Sequence, residues 1–580
     1  MSEKLPEIRG ADLVVEALRA EGVDTVFAYP GGMAIDLFDA LYRQDDIEMI
    51  LPRHEQGLIF AADGYARTTG KVGVCLVTSG PGATNLVTGI ANANYDSVPL
   101  VCITGQVPRS LIGNDAFQEV DMVGICRNIC KYAVIVRDRK DLGRVLREAF
   151  YIARSGKPGP VVVDLPQDIQ KEMGSAVYPQ EVSIRGYKPN TSAHPGQVKK
   201  AMSVLNRAKK PVFLVGGGVH LAGAQKEMQQ LAEITGVPVI TTIMGKGAIP
   251  TDHPLYVGNI GLHGSFAANQ AISECDVLFS IGTRFNDRIT GKLSEFARNA
   301  TIIHVDIDTA SISRNIVVDI PIVGDAKAAI TLMLDQAKPL ELTGWVNDIM
   351  MRKKSYPINM NRYEGLTPQQ VIQTLDKLTP KSVLVPDVGQ NQLWCTQYST
   401  LGPEKRMITS GGLGPMGYSL PAAIGAALAA PDRKVISVSG DGGFQMNLQE
   451  LATAKALELP ILVCIFNNTH LGNVRQMQRF FYGERYSSTC LRYRKSCGRV
   501  CQQGGQCPTP DYLPDFLQLA KSYDCPAWRV TKPEEGEPVL TQALAHTGGP
   551  ALVEFLVDEE EVVMPVVPFG KALNQMMLDY

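Results

Sequence analysis

Short apolar runs alternate with amphipathic, helix-like stretches along most of the chain, in three successive blocks. The blocks cover residues 1–180, 195–340 and 365–560. A polar stretch with three prolines (178–197) follows the first block, and a charged, strand-poor stretch (338–365) follows the second. Alternation of this kind is typical of βαβ units with helices on both faces of a parallel sheet. We therefore expect an α/β protein of three doubly wound parallel-sheet domains.

The third block contains the most informative motif. An apolar run at 434–439 ends in Gly440-Asp441-Gly442, and a second run at 460–466 ends in Asn467-Asn468, with a helix expected over 447–457 between them. In a parallel sheet both loops open at the same edge. Asp441 and Asn468 would then offer hard oxygens to one Mg2+, and the glycines and the helix N-terminus would accept a phosphate. The alternative is an ordinary βαβ crossover with a glycine-rich turn and a chance asparagine pair.

In the first block, Glu55 lies between a strand-like run and a helix expected over 57–68. Taken alone, this is an acidic residue in a first helical turn, where the helix dipole favours it. Two further loops that follow strands, 29–32 and 78–85, are rich in glycine. Glycines let the backbone approach a flat ligand closely. The three loops together predict a ligand cleft around one carboxylate.

Composition narrows the class of protein. The chain has 56 Lys and Arg against 59 Asp and Glu, a net charge of −3, and no basic block that would indicate nucleic acid. Charged residues precede any long apolar run, so we expect no signal peptide, and the alanine-rich stretch 422–430 is too short to span a membrane. We expect a cytoplasmic protein with no nucleic-acid or membrane partner. Four cysteines in apolar runs are interpreted as buried hydrophobic residues: Cys75, Cys102, Cys275 and Cys464.

Four longer segments carry a family resemblance over nearly the whole chain. They are Arg53-His-Glu-Gln56 and the segments at 111–119 (LIGNDAFQE), 282–291 (GTRFNDRITG) and 410–417 (SGGLGPMG). With them the chain resembles the thiamine-diphosphate decarboxylases and carboligases, and it is most similar to the acetohydroxyacid (acetolactate) synthase family. The resemblance implies the thiamine-diphosphate-binding fold. It also implies an enzyme that decarboxylates pyruvate on thiamine diphosphate and joins the two-carbon unit to a second 2-oxoacid, pyruvate or 2-oxobutyrate, in branched-chain amino-acid biosynthesis.

The resemblance also implies roles for residues of the first and third blocks. Glu55 would hydrogen-bond the aminopyrimidine ring of the cofactor, which requires a carboxylate in an apolar cleft. Met416 would hold the cofactor bent. Asp441, Asn468 and the backbone carbonyl of His470 would bind Mg2+. The remaining expected contacts of thiamine diphosphate are Tyr29, Pro30, Gly31, Gly32, Pro81, Asn85, Val388, Gly389, Gln390, Asn391, Gly414, Gly442 and Gly443. Gln390 and Asn391 would meet the diphosphate; the family usually has His at position 391, but Asn still donates.

Members of this family also bind FAD, which takes no redox part in the main reaction. Gly216-Gly-Gly218 follows an apolar run and suits a dinucleotide pyrophosphate, although G-x-G-x-x-G is absent and a tight turn in a vestigial domain remains the alternative. Lys157 and Asn286 stand where the family usually has Arg and Asp. The expected FAD contacts are Lys157, Gly217, Gly218, His263, Arg284, Asp306 and Asp325.

Five residues concern the substrates. Arg288 would bind the carboxylate of the second 2-oxoacid through its planar fork; the alternative is a surface arginine paired with Asp287. Phe117 and Gln118 would line the donor side. Met477 stands where the family has a Trp that favours 2-oxobutyrate, and Gln167 stands where it usually has Lys. We therefore expect an altered acceptor preference, unless Met477 points into the core.

The resemblance further implies a homodimer or homotetramer, in which Glu55 of one subunit faces Asp441 of another, and a possible small regulatory subunit. An extra segment, 491–512, carries Cys497, Cys501 and Cys507, whose spacing matches no standard metal site, so an inert surface loop is favoured over a metal or redox role. Two alternatives stay open. One is a different thiamine-diphosphate enzyme, such as a pyruvate oxidase or another 2-oxoacid carboligase; the other is a non-catalytic paralogue.

Overall fold

The computed structural model describes residues 7–358, 365–492 and 513–579. Within this part of the chain, three six-stranded sheets follow one another, and the strands within each sheet pair in parallel. The predicted fold class, an α/β chain of three doubly wound parallel-sheet domains, is confirmed. Three cysteines of the predicted extra segment lie outside the described residues: Cys497, Cys501 and Cys507.

The first domain packs helices on both faces of its sheet. Its strands are β1 (Glu7–Arg9), β2 (Thr25–Tyr29), β3 (Glu48–Ile50), β4 (Gly73–Val77), β5 (Leu100–Gln106), β6 (Tyr132–Ile135), β7 (Pro160–Pro166) and β8 (Met173–Ser175). Its helices are α1 (Gly10–Ala20), α2 (Ile35–Tyr42), α3 (Glu55–Thr69), α4 (Pro81–Thr84), α5 (Val87–Asp96), α6 (Met122–Cys126), α7 (Leu142–Arg154) and α8 (Gln167–Lys171). The sheet order is β3-β2-β4-β5-β7-β6, with β1 and β8 forming a separate antiparallel ribbon. The inner strands β4, β5 and β7 are wholly buried, which explains their continuous apolar sequence.

The central domain repeats this architecture. Its strands are β9 (Pro211–Val215), β10 (Val239–Thr241), β11 (Tyr256–Asn259), β12 (Val277–Ile281), β13 (Thr301–Asp306) and β14 (Ile320–Val323), in the order β11-β10-β9-β12-β13-β14. Its helices are α9 (Pro195–Leu205), α10 (Gly218–Leu221), α11 (Gln225–Thr235), α12 (Phe266–Glu274), α13 (Asp287–Thr290), α14 (Ala326–Leu334) and α15 (Thr343–Ser355). Among the described residues of the charged stretch, 338–358 and 365, there is no strand, as expected, but α15 lies here, and its Trp345 and Ile349 are buried.

The third domain carries the Asp441 motif. Its strands are β15 (Ser382–Pro386), β16 (Arg406–Met407), β17 (Lys434–Gly440), β18 (Leu462–Asn467), β19 (Ala527–Val530) and β20 (Ala551–Leu556), in the order β16-β15-β17-β18-β20-β19. Its helices are α16 (Pro368–Leu378), α17 (Gln390–Tyr398), α18 (Ser419–Ala429), α19 (Asp441–Phe444), α20 (Leu451–Ala456), α21 (Gly472–Phe481), α22 (Phe516–Ser522) and α23 (Pro533–Leu544). The helix expected over 447–457 is split into a 3-10 turn, Leu448–Glu450, and the short α20.

Helices α3 and α18 join the first and third domains. They cross at two glycines: a Cβ on Gly64 would overlap the carbonyl of Ala422, and one on Gly425 would overlap the carbonyl of Ala61. Side chains of both helices belong to one apolar cluster. The close contact places the N-terminal turn of α3, and with it Glu55, against the third domain. No helix in the described part of the chain is long and apolar enough to cross a membrane.

Candidate active site

Glu55 is the first residue of α3 and is half-buried. His54 caps the helix by accepting the Gln56 N–H at 3.0 Å. The side-chain amide of Asn85 donates to Glu55 Oε2 at 2.9 Å, and a Cβ on Gly82 would lie 3.4 Å from Oε1. The predicted approach of the 78–85 loop to this carboxylate is therefore observed.

The other glycine-rich loop of the first domain packs on the same segment. A Cβ on Gly31 would lie 2.5 Å from Thr78 Cγ2, and the Met33 N–H donates to Thr78 Oγ1 at 3.2 Å. A Cβ on Gly80 (φ 58°) would lie 2.8 Å from Cβ of Gln118, which itself has a φ of 59°. The loops thus meet without room for side chains, as expected where backbone borders a ligand. Next to Gln118, Phe117 is 82% exposed, too exposed to line a closed pocket in the chain on its own.

Sequence reasoning missed Glu450, which holds this turn from the third domain. Its carboxylate is fully buried and accepts the N–H groups of Arg53 and His54 at 3.1 Å and the Thr453 hydroxyl at 2.7 Å. Burial raises the pKa of Glu450, and hydrogen bonds from Thr453, Arg53 and His54 oppose that rise. A negative charge at the start of α3 also suits the helix dipole. No signal in the sequence links a residue to partners 397 positions away.

Asp441 follows β17 and is buried. Its Oδ1 accepts the Gly442 N–H at 3.0 Å, while Oδ2 is buried without a hydrogen-bond partner. Burial raises the pKa of Asp441 to about 7. Buried polar atoms are almost always paired, and a cation would complete this one.

Asn468 directly follows the neighbouring strand β18, so the two motifs lie side by side, as predicted. Its Oδ1 accepts the His470 N–H at 3.2 Å. In the described residues there is no cluster of three or more His, Cys, Asp or Glu side chains that would hold a metal. A site made of one carboxylate, one amide oxygen and one backbone carbonyl fits a hard cation such as Mg2+.

Helix α17 begins beside this site, after Gly389 (φ 118°). The side chain of Asn391 donates to the carbonyls of Asp387 at 2.8 Å and Val438 at 3.2 Å. The contact of Asn391 with a diphosphate stays a prediction; in this structure both hydrogens of its amide are used within the protein. Gln390 is also engaged through both ends of its side chain. In this arrangement any anion contact falls to the backbone N–H groups.

Met416 lies in the loop before α18, between two glycines with positive φ, Gly414 (71°) and Gly417 (85°). Its Cε would lie 3.5 Å from a Cβ on Gly442. The buried carboxylate of Asp387 accepts the Gly417 N–H at 2.9 Å and so anchors this loop. Burial raises the pKa of Asp387 to about 7, against the opposing effect of these backbone hydrogen bonds. The loop thus holds Met416 beside the Asp441 turn.

A cavity of about 980 Å3 opens along the central domain, and residues of the first and third domains complete its walls. Six of the seven predicted flavin contacts line it: Lys157, Gly217, Gly218, Arg284, Asp306 and Asp325. The seventh, His263, is not among the described lining residues; its Nδ1 lies 3.2 Å from the Pro565 carbonyl, and burial lowers its pKa to about 4. A Cβ on Gly218 would lie 2.7 Å from Cα of Gly282, and Asn286 Oδ1 is buried without a partner. Size and lining fit a dinucleotide.

The two predicted substrate residues Arg288 and Met477 are partly exposed to solvent in this chain. Arg288 borders the cavity, but its side chain is 64% exposed and its Nε lies 3.6 Å from Asp287. This is the surface pairing that the sequence left as the alternative. Met477 is half-buried on α21, so its predicted role stays a prediction.

Comparison of the sequence with known proteins identifies the family of this chain. Three thiamine pyrophosphate enzyme family models match the chain: the N-terminal TPP binding domain (8–125), the central domain (198–333) and the C-terminal TPP binding domain (387–555). A probable acetolactate synthase large subunit of Methanocaldococcus jannaschii is 44% identical over 98% of this chain and 95% of its own. The acetolactate synthase isozyme 3 large subunit of Escherichia coli is 43% identical over 98% of both. Acetolactate synthase 2, chloroplastic, of Nicotiana tabacum is 42% identical over 98% of this chain and 85% of its own.

Proposed function

Since the chain belongs to the thiamine pyrophosphate enzymes, in the family of acetolactate synthase large subunits, we propose that it joins two 2-oxoacids. Two molecules of pyruvate give 2-acetolactate, and pyruvate with 2-oxobutyrate gives 2-aceto-2-hydroxybutyrate. These are steps of branched-chain amino-acid biosynthesis. The observation that carries the proposal is the Glu55 carboxylate, held by Asn85 among glycine-rich loops at the edge of the first sheet.

The residues present suit thiamine diphosphate with Mg2+. When bound, this cofactor supplies the carbon nucleophile and electron sink that a 2-oxoacid needs to lose CO2. Asp441, Asn468 and the carbonyl of His470 would hold the cation. Backbone N–H groups at the start of α17 would meet the diphosphate, and Met416 would support the ring system of the cofactor.

Glu55 would hold a proton at the aminopyrimidine ring. The Asn85 amide occupies its Oε2 and fixes the carboxylate plane, while its Oε1 lies beside Gly82, where no side chain blocks a ring. General acid–base catalysis needs this arrangement of one oriented carboxyl oxygen within hydrogen-bond reach. Arg288 would meet the carboxylate of the second 2-oxoacid through its guanidinium fork.

The cavity of the central domain would hold FAD in a structural, non-redox role, supported by its size and by Gly217 and Gly218 at its wall. We also propose a homodimer or homotetramer in the cytoplasm, with a small regulatory subunit as a further partner. In support, Ile35 is 60% exposed and Phe117 82% exposed in the domain of Glu55, as expected if another subunit covers them. The names of the relatives, which call them large subunits, support a smaller partner.

Purified protein incubated with pyruvate, thiamine diphosphate, Mg2+ and FAD tests the proposal. We expect acetolactate and a yellow protein, with no net turnover of the flavin. Glu55→Gln is the matched control and should form acetolactate at least about 100-fold more slowly, with no other product in its place. Peroxide in stoichiometric amounts from pyruvate would assign the chain to the oxidases instead, and release of acetaldehyde alone would assign it to the simple decarboxylases.

A further inference from the structure

Three buried amide side chains, the first of them the proposed metal ligand Asn468, are hydrogen-bonded in a row. Asn468 Nδ2 donates to Gln390 Oε1 at 3.0 Å, and Gln390 Nε2 donates to Gln476 Oε1 at 3.0 Å. Their exposed fractions are 6%, 5% and 2%, respectively, so water does not compete for these bonds. Gln476 lies on α21, one residue before Met477, and sequence reasoning assigned it no role.

Backbone groups of residues 561–563 determine which way each amide points. The Val563 N–H donates to Gln476 Oε1 at 2.7 Å, so the oxygen of Gln476 must face it. That oxygen can receive only the NH2 of Gln390, whose Nε2 also donates to the Glu561 carbonyl at 2.9 Å. The oxygen of Gln390 is then left for Asn468. Asn468 must present its NH2 to Gln390. Its oxygen is turned away from the chain of amides and accepts the His470 N–H at 3.2 Å, so both ends of this amide are held.

We propose that Gln476 is a positioning residue for the metal: through Gln390 it holds Asn468 so that the amide oxygen, and not the NH2 group, faces the cation. A hard cation accepts oxygen ligands only, so a reversed Asn468 amide would place a donor against Mg2+. The inference rests on the proposed function, since it takes Asn468 as a ligand. It also links the metal site to α21, the helix of Met477.

Gly472, the first residue of α21, shows how closely the amides are packed. A Cβ at this position would overlap Gln390 Oε1 and lie 2.5 Å from Asn468 Nδ2. Only glycine leaves the space through which Asn468 and Gln390 meet. Gly472→Ala should therefore disturb the same contact as a change at Gln476, from the opposite side.

Gln476→Met is the primary test, because it keeps the volume of the side chain and removes both polar ends. Loss of such an outer partner typically weakens metal binding by about 10–100-fold. We expect a weakening of that size in the Mg2+ affinity measured by calorimetry in the presence of thiamine diphosphate, and in the Mn2+ affinity measured by electron paramagnetic resonance. Excess Mg2+ should restore kcat. Gln476→Glu keeps an acceptor oxygen for Gln390 and for the Val563 N–H but loses the Nε2 donor to the Val563 carbonyl at 3.3 Å. It should therefore weaken Mg2+ binding less than Gln476→Met does.

Asn269→Ala controls for the loss of a buried amide as such, since Asn269 is fully buried in the central domain and bonded to the backbone of Gly261 at 2.9 and 3.0 Å. It should leave Mg2+ affinity unchanged. If Gln476→Met does not fold, Gly472→Ala gives the same readout. Folded Gln476→Met or Gly472→Ala protein with wild-type Mg2+ affinity would overturn the positioning role. A wild-type protein that shows no Mg2+-dependent binding of thiamine diphosphate would instead overturn the proposed function.

Discussion

Replacing Glu450 with alanine should loosen the first turn of α3, and with it Glu55, while leaving the metal half of the site in place. The carboxylate is the acceptor for the N–H groups of Arg53 and His54, which directly precede Glu55. Glu450 belongs to the third domain, so Glu450→Ala removes a contact between the third domain and the first turn of α3.

The structure sets the size of the effect. A hydrogen bond to a charged acceptor contributes about 1.5–3 kcal/mol, so the two backbone bonds together contribute about 3–6 kcal/mol. The raised pKa of Glu450 shows that burial of the charge offsets part of this gain. A net loss of about 2–4 kcal/mol in local stability corresponds to a rise of roughly 30- to 700-fold in the population of the open turn.

Hydrogen exchange measured by mass spectrometry over residues 51–58 reports this opening directly. Exchange there should accelerate at least about tenfold in Glu450→Ala, and kcat for acetolactate formation should fall with it. Glu535→Ala is the matched control, because Glu535 accepts the N–H groups of Thr531 and Lys532 at the start of the remote helix α23. It should change exchange only near α23 and leave kcat alone. Unchanged exchange over 51–58 in folded Glu450→Ala protein would refute the reasoning.

Other changes should separate the remaining roles. Glu55→Gln should leave thermal unfolding unchanged and lower turnover by about 100-fold or more, the scale of a lost acid–base group; turnover within about threefold of wild type would contradict its role. Asp441→Ala should abolish tight binding of thiamine diphosphate with Mg2+, and calorimetry showing an unchanged affinity would remove the metal site. Met477→Trp should raise the preference for 2-oxobutyrate by at most about 1–3 kcal/mol in a competition assay, and an unchanged product ratio would show that this residue does not set acceptor choice. Burial raises the pKa of Asp164 from its ordinary 3.8 to about 7, so the folded protein retains a proton that the unfolded chain releases, and stability should fall as the pH rises from about 4 to about 7. Asp164→Asn should show a smaller fall in melting temperature over that window than wild type, and parallel curves would disprove the assignment.

The inner strands of the third sheet that carry the Asp441 motif, and the points where they end, could be predicted from the chain alone. Inner strands of a parallel sheet are buried on both faces, so each appears as a continuous apolar run that stops where the strand stops. The apolar runs at 434–439 and 460–466 match β17 (Lys434–Gly440) and β18 (Leu462–Asn467) with ends shifted by no more than two residues. For the same reason Asp441 and Asn468 could be placed side by side, since they follow two neighbouring strands of one sheet.

The orientation of side chains in the site could not be predicted in this way. Asn391 was expected to donate to a ligand, and in this structure its amide donates to two backbone carbonyls. Glu450 and Gln476 stand in ordinary helical sequence, and only the fold brings them to Arg53 and Gln390. The burial of a strand follows from the apolar pattern of its own residues. The sequence by itself therefore determined where the sheets lie and which loops border the site. A buried amide or carboxylate must match donors and acceptors on distant segments, and that choice was made only when the tertiary structure brought those segments together.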